Sequence, residues 1–342
     1  MMVDKDKIIQ FALENARQPV SGLGALLAEH FSLSRQVASK YLSALRKKGW
    51  LVSSGHGRST LWKIGSLEEK AWSFPLAGLL ENDAWHETMY PLVKELPENI
   101  RDILHYGFTE ILNNSIDHSQ GRKAIIQFTR TPLESTIMIS DDGEGIFQRI
   151  QRILGLYDAR TAILELSKGK LTTDPGRHSG EGIFFTSRIF DNFYIMSRDL
   201  FFSHKSHKDD WLIEGVSSNL LPGTSVWMTI ANDSEKTTKS VFDRFANPDD
   251  YSFSKTIIPV RLAAHEGEKL VSRSQAKGLV MRFERFKTVM LDFKGVEQIG
   301  QAFADDVFRV FKSSHPAVEL IVCHAAQPVL DMIKRAEATR PD

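Results

Sequence analysis

Four polar side chains in the run from Phe108 to His118, namely Glu110, Asn113, Asn114 and Asp117, are spaced i, i+3, i+4 and i+7. On a helix that spacing gathers them on one stripe, while Ile100, Ile103, Leu104, Phe108, Ile111 and Ser115 form the opposite, mostly apolar one. One face can then line a pocket while the other holds a core. A carboxylate at Glu110 can take a proton from water attacking a phosphate, and the amide of Asn114 can give one oxygen to a magnesium ion that keeps several waters.

Further along, Ser135-Thr-Ile-Met-Ile-Ser140 reads as a buried strand that runs straight into Asp141-Asp-Gly-Glu-Gly-Ile146. An aspartate at a strand end can accept a hydrogen bond from an exocyclic amine such as that of adenine, and Gly143 and Gly145 clear side chains from a turn where backbone approaches a ligand or takes positive φ. A third glycine cluster, Gly176-Arg-His-Ser-Gly-Glu-Gly182-Ile183, precedes a helix expected over Phe184 to Phe190. Backbone N–H groups at a helix start suit phosphate. Each motif alone also fits a plainer role, a solvated helix face or an ordinary turn. It is their order, helix, then strand and turn, then glycine-rich helix start, that points to one site.

Together these segments resemble the Bergerat ATP-binding fold shared by gyrase B subunits, histidine kinases, mismatch-repair ATPases and anti-sigma serine kinases. Glu110-x-x-x-Asn114 matches that family's N box, Asp141-x-Gly143-x-Gly145 its adenine box, and Gly180-x-Gly182 its lid-hinge box. Gly223-Thr224, ahead of strand-like Ser225 to Ile230, matches the late Gly-Thr that closes the site. The resemblance implies that Asn114 holds Mg2+, Asp141 reads adenine, and Glu110 is the catalytic base where hydrolysis occurs. It also implies ATP contacts at Asp117, Gly143, Gly145, Ile146, Ser179, Gly180, Gly182, Ile183 and Thr224, and a lid over residues 148–179.

Three elements must flank this module or position it. Residues 1–66 carry ten Lys and Arg against four Asp and Glu, a local net charge of +6 in a chain whose formal total is zero. Apolar spacing predicts helices around Ile8 to Ala12, Leu23 to Phe31 and Ser34 to Lys48, the third with Val37, Tyr41, Leu42 and Leu45 as its apolar stripe. Trp50 to Val52 and Thr60 to Ile64 then read as strands of a hairpin. This segment looks like a winged helix-turn-helix, which implies duplex DNA as a partner, with Arg35, Gln36, Ser39 and Lys40 reaching bases and Arg58 meeting phosphate. Protein docking is the alternative use of such a module.

Residues 67–96 are expected to connect this module to the nucleotide domain at 97–252, though Trp72, Phe74, Trp85 and Tyr90 make them too apolar for a free linker. His86-Glu87 lacks the second histidine of a zincin helix, and His105 and His118 are expected to be structural. From 253 to 342, strands and helices alternate in a βαβα pattern that predicts a small α/β layer, with its first helix over Ser274 to Phe286. The run Val289 to Asp305 resembles STAS-like domains of anti-sigma-factor antagonists, but Gln301 and Ala302 stand where those carry a phosphorylated serine. A phosphoserine switch at that spot is therefore excluded, leaving a docking surface for a regulatory protein or a structural role.

The fold class expected is α+β multidomain: winged helix, Bergerat-type α/β sandwich, STAS-like domain. With 42% hydrophobic residues the chain can pack ordinary cores. Its single cysteine, Cys323, excludes an internal disulfide and is expected buried in a strand. No apolar run approaches a membrane span, so no membrane partner is expected and a cytoplasmic location is. The function read from this is an ATP-binding, ATP-hydrolysing regulator that couples nucleotide state to DNA binding and partner docking, compatible with a homodimer. The rivals are a histidine or anti-sigma-type serine kinase, and a scaffold holding ATP without turning it over.

Overall fold

The computed structural model describes residues 4–171, 180–205, 208–213, 222–264 and 268–338. At the N-terminus, α1 (Lys5–Asn15) starts at Asp4, whose side chain accepts from the backbone of Asp6. β1 (Val20–Ser21), α2 (Leu23–His30) and α3 (Arg35–Lys47) follow, the last capped by Ser34 accepting from Val37 N. β2 (Leu51–Ser54) and β3 (Leu61–Ile64) form an antiparallel hairpin, and β1 adds to the far side of β3. Ile8, Leu13, Leu23, Leu27, Leu42 and Leu45 pack into a core of their own.

The apolar stripe of α3 differs from the expectation at one position. Ala38, Leu42 and Leu45 are the buried residues, whereas Val37 is 37% exposed. Positions 38, 42 and 45 are i, i+4 and i+7 and face the other two helices; Val37 is turned about 100° away from Ala38. It joins Arg35, Gln36, Ser39 and Lys40, all exposed.

The central unit is built on a seven-stranded antiparallel sheet. Residues 67–96 supply its edge strand β4 (Glu68–Pro75) together with α4 (Glu81–Thr88) and α5 (Tyr90–Val93), and Trp85, Met89 and Val93 enter the core. They form part of the unit itself. Then come α6 (Glu98–His118), β5 (Lys123–Arg130), β6 (Glu134–Asp141), α7 (Ile146–Leu154), α8 (Thr161–Lys168) and α9 (Gly182–Ile189). β7 (Asn192–Ser197), β8 (Leu200–Lys205), β9 (Lys208–Ile213), β10 (Thr224–Ala231) and α10 (Thr238–Phe245) complete it. The order β4-β5-β6-β10-β7-β8-β9 puts β10 in the middle, with α6 packed on β6 and β10 and α9 against α6 and β7. The apolar stripe of α6 behaves as its spacing requires: Ile100, Ile103, Leu104, Phe108, Ile111 and Ser115 are all buried. The N-terminal module rests on the β5–β6 turn, where Arg17 pairs with Glu134 and Leu133 packs on the N-terminal core.

In the C-terminal unit, β11 (Lys255–Pro259), β12 (Thr288–Asp292) and β13 (Glu319–Cys323) form a parallel sheet in that order. Parallel pairing needs crossovers, and α11 (Arg273–Val280), then α12 (Gln301–Ala304) continuing through a π-helical stretch Asp305–Phe311 into α13 (Lys312–Ser314), supply them. α14 (Gln327–Ala338) closes the described chain. The helix expected up to Phe286 stops at Val280, because Arg282 takes a left-handed φ of 68° before a 3-10 turn at Phe283–Arg285. Cys323 ends β13 half-buried, not in the core. Among the described residues, no helix is long and apolar enough to cross a membrane.

The central and C-terminal units share one apolar core. Phe253 sits 4.7 Å from Phe184, 4.9 Å from Phe185 and 5.5 Å from Phe286, ring centre to ring centre. A buried ionic cluster lies across the same junction. Glu165 of α8 accepts from Lys168 Nζ at 2.5 Å and from Arg282 Nη1 at 2.7 Å, and Lys168 and Glu165 have fully buried side chains. Two cations share one carboxylate, so the cluster carries excess positive charge out of water, and the lysine, the weaker base, yields. Burial pushes its pKa down from 10.5 to about 8, with Arg282 adding to the depression against the pull of Glu165.

Glu165→Gln removes the only carboxylate in this cluster with geometry to bind both cations, and is expected to lower unfolding free energy by about 3–5 kcal/mol in urea titrations at neutral pH. The lysine also has a pH signature. Between pH 8 and 10.5 the unfolded chain keeps a proton here that the folded chain has released, so stability from this group rises with pH through that window. The unfolding free energy of wild type minus that of Lys168→Met should accordingly be flat below pH 8 and climb above it; a flat difference throughout would exclude a depressed lysine.

Candidate functional site

A cavity of about 310 Å³ opens between α6, the β6–α7 turn, the end of α8, the start of α9 and the start of β10. Helical spacing brings Glu110, Asn114 and His118 to one wall, as i, i+4 and i+8 on α6. Ile139 and Val226 from neighbouring strands β6 and β10, with Ile150 of α7, supply apolar surface to which a flat ring can be applied.

The floor is set by Asp141, the last residue of β6 and only 4% exposed. Its Oδ1 accepts from Gly143 N at 2.9 Å and from Thr224 N at 3.2 Å, and its Oδ2 accepts from the Ser115 hydroxyl at 3.2 Å. Burial pushes the carboxyl pKa up, and these three donors oppose the push by favouring the charged form. The Thr224 hydroxyl in turn accepts from Ile146 N at 2.9 Å, tying the start of β10 to the start of α7. Gly145 makes this possible with a φ of 91°, and a Cβ there would lie 2.6 Å from Ser197 Oγ.

Across the cavity, Gly182 opens α9 beside Glu110 so closely that a Cβ would fall 1.9 Å from Glu110 Oε2. A Cβ at this position would have to push the Glu110 carboxylate aside. Tyr106, one turn before Glu110 on α6, has its phenol pushed well above the usual range by burial and by the charges of Glu110 and Glu181. It is therefore a neutral neighbour. At the mouth, Glu144 accepts from Arg149 at 3.0 Å and from Arg152 at 2.9 Å, which hold it below the ordinary carboxylate range against the opposing effect of its partial burial.

The structure brings Glu110, Asn114, Asp141, Gly145, Ile146, Gly180, Gly182, Ile183 and Thr224 to the cavity, out of four separate stretches of sequence. Two expected positions are elsewhere. Asp117 is exposed and does not line it, because the cavity faces the side of α6 that runs from Glu110 through Asn114 and His118 to Ile111 and Ser115, and at 100° per residue Asp117 falls beyond the Glu110 edge of that arc. Gly143 lies behind the turn, where a Cβ would meet Ser119 O at 2.1 Å; it seats the turn against the end of α6. Ser179 and residues 172–178 of the expected lid lie outside the described residues, as does the side chain of Arg58. The first part of that lid is α7 and α8.

His118, expected to be structural, faces the cavity, as do Ser119, Arg149, Leu166, Leu171 and Phe184. His118 was legible as the i+4 partner of Asn114. Leu166 and Leu171 carried no local signal, since they reach the site by long-range packing. Among the described residues no three His, Cys, Asp or Glu side chains cluster to hold a metal, so an ion here would rest on Asn114 and on oxygens of a bound ligand.

Gly182→Ala is expected to displace the Glu110 carboxylate at a cost of about 1 kcal/mol or less, since the end of a long side chain can give way, and Glu110→Ala in the same chain should recover most of it. A double-mutant cycle in chemical denaturation reads this coupling, and strict additivity would show that the two groups do not collide.

No curated protein matches the chain. Among solved structures it is similar to the crystal structure of the Thermotoga maritima IclR, at 15% identity over 70% of this chain and 90% of that one. The TM-score is 0.19, at which the likeness carries no argument. Residues 275–330, from α11 to the start of α14, match the family described as STAS-like domain of unknown function (DUF4325), so the chain carries a STAS-like domain there.

Proposed function

We propose that the cavity binds ATP with Mg2+, and that the chain is a regulator in which nucleotide state is coupled to the N-terminal module and the STAS-like domain. The observation that carries this reading is Asp141: a buried carboxyl group at the floor of a cavity with apolar walls, oriented by Gly143 N, Thr224 N and the Ser115 hydroxyl. A carboxylate so placed accepts the exocyclic amine of adenine and rejects a purine that presents a carbonyl there. The antiparallel sheet crossed by α6 and α9, and the convergence of the boxes that resemble a Bergerat module, support the same reading.

Each residue then has a role. Asn114 would hold magnesium, which supplies charge neutralisation at phosphate oxygens when bound. Backbone N–H groups at the start of α9 favour phosphate, through unpaired donors and the helix dipole. Glu110, beside that helix start, is placed to take a proton from a water. At the other end of the chain, three helices with a β-hairpin have the make-up of a winged helix, and exposed Arg35, Gln36, Ser39 and Lys40 on α3 suit duplex DNA, with Arg58 in the hairpin.

The test is equilibrium binding of ATP and GTP with and without magnesium, followed by turnover. Asp141→Asn should lose ATP affinity while staying folded, Asn114→Ala should lose its magnesium-dependent part, and Glu110→Ala should bind but turn over about 10²–10⁴-fold more slowly. Affinity in the wild type should also fall on acidification above the pH expected for an ordinary aspartate, since the protonated acid offers the amine a donor. Equal affinity for ATP and GTP in all of these proteins would remove Asp141 as the reader.

DNA binding has a separate readout. Neutralising Arg35, Lys40 and Arg58 together should weaken duplex binding and flatten its salt dependence by roughly one log–log unit for each phosphate no longer neutralised. No duplex affinity at low salt, with or without ATP, would leave the N-terminal module as a protein-docking element.

A further inference from the structure

α8 is buried on every side: Ala162 to Lys168 are all inside. It is wedged between two clients. Leu166, and Leu171 just beyond its end, form part of the cavity wall. Glu165 and Lys168, on the same two turns, face the STAS-like unit.

What they do there is terminate α11. Lys168 Nζ donates at 2.9 Å to Gly278 O and at 2.9 Å to Met281 O, carbonyls at the C-terminal end of that helix which have no partner further along it. A buried ammonium at a helix C-terminus also meets the negative end of its dipole. The next residue, Arg282, holds a left-handed φ of 68°, a conformation that costs a non-glycine residue of order 1 kcal/mol or more unless its surroundings impose it. They do so from α8: Arg282 donates to Glu165 Oε2 at 2.7 Å and to Gly169 O at 2.6 Å. Thr256 Oγ1 adds a bond to Lys168 O at 2.8 Å from β11. Both the stop of α11 and the turn after it are thus made by groups that belong to the central unit.

We propose that α8 reports occupancy of the cavity to the STAS-like domain, with Lys168 and Glu165 setting the end of α11 and the Arg282 turn according to how a ligand seats Leu166 and Leu171. The proposal rests on the nucleotide reading of the cavity. A rigid, fully packed helix cannot move one side without the other, and a buried charge cluster has discrete arrangements rather than a continuum, so the contact suits two-state coupling.

The experiment is hydrogen exchange of the full chain with and without ATP and magnesium, beside a direct measurement of ATP binding. In the wild type, ATP should slow exchange around the cavity and, by a factor of roughly five or more, over residues 273–285. Arg282→Gly keeps the backbone turn without strain and leaves Glu165 paired with Lys168, so it should fold. It should bind ATP and protect the cavity segments, yet lose most of the response at 273–285. Protection confined to the cavity in the wild type, or an undiminished response in Arg282→Gly, would overturn the coupling while leaving the nucleotide site intact. Absence of ATP binding by the wild type would overturn the nucleotide reading, and the coupling with it.

Discussion

A carboxylate removed from water must be met by donors, and the way Asp141 is met organises the central unit. Its partners come from α6, from the turn after β6 and from the start of β10. Since β10 pairs with β6 along its whole length, the register of two strands delivers the Thr224 amide to the Asp141 oxygen. Loss of any donor would leave a buried carboxyl oxygen partly unsatisfied. The cavity is therefore a consequence of sheet register as much as of the motifs that line it.

The second constraint of the same kind is the Glu165–Lys168–Arg282 cluster, and its chemistry differs. Asp141 is one carboxyl group with three neutral donors; the cluster is one carboxylate with two cations, plus the carbonyls of Gly169, Gly278 and Met281. Such a cluster adds little net stability over a well-packed apolar junction, and what it adds is a single way of fitting the parts. The surrounding phenylalanines, Phe184, Phe185, Phe253 and Phe286, supply the apolar burial that holds the two units together.

The N-terminal module stands apart from both. It has its own core and meets the central unit at the turn joining β5 and β6, through Arg17 with Glu134 and through Leu133. β6 therefore has a charged contact to that module near its first residue and Asp141 as its last. In the proposed regulator this strand, through its non-covalent contact with Arg17, connects the cavity to the N-terminal module, whereas α8 is the path to the STAS-like unit.

Local pattern determined several of the helices and strands around the cavity, while the assignment of its residues to a nucleotide came from the resemblance of their boxes to the Bergerat fold. The apolar stripe of α6, the strand running into Asp141, the glycines before α9 and the βαβα order of the last segment were legible, because each depends on spacing within one element. The π-helical run at Asp305–Phe311, the early stop of α11 and the exposed Val37 were not, because neighbours in space decide which face of a helix is covered and where it ends. Residues 67–96 were readable as too apolar for a free linker, but only pairing with β5 made them an edge strand. Leu166, Leu171 and the Glu165–Lys168–Arg282 cluster were invisible for the same reason. Residues 117 positions apart carry no shared period, and only the folded chain makes Glu165 and Arg282 neighbours.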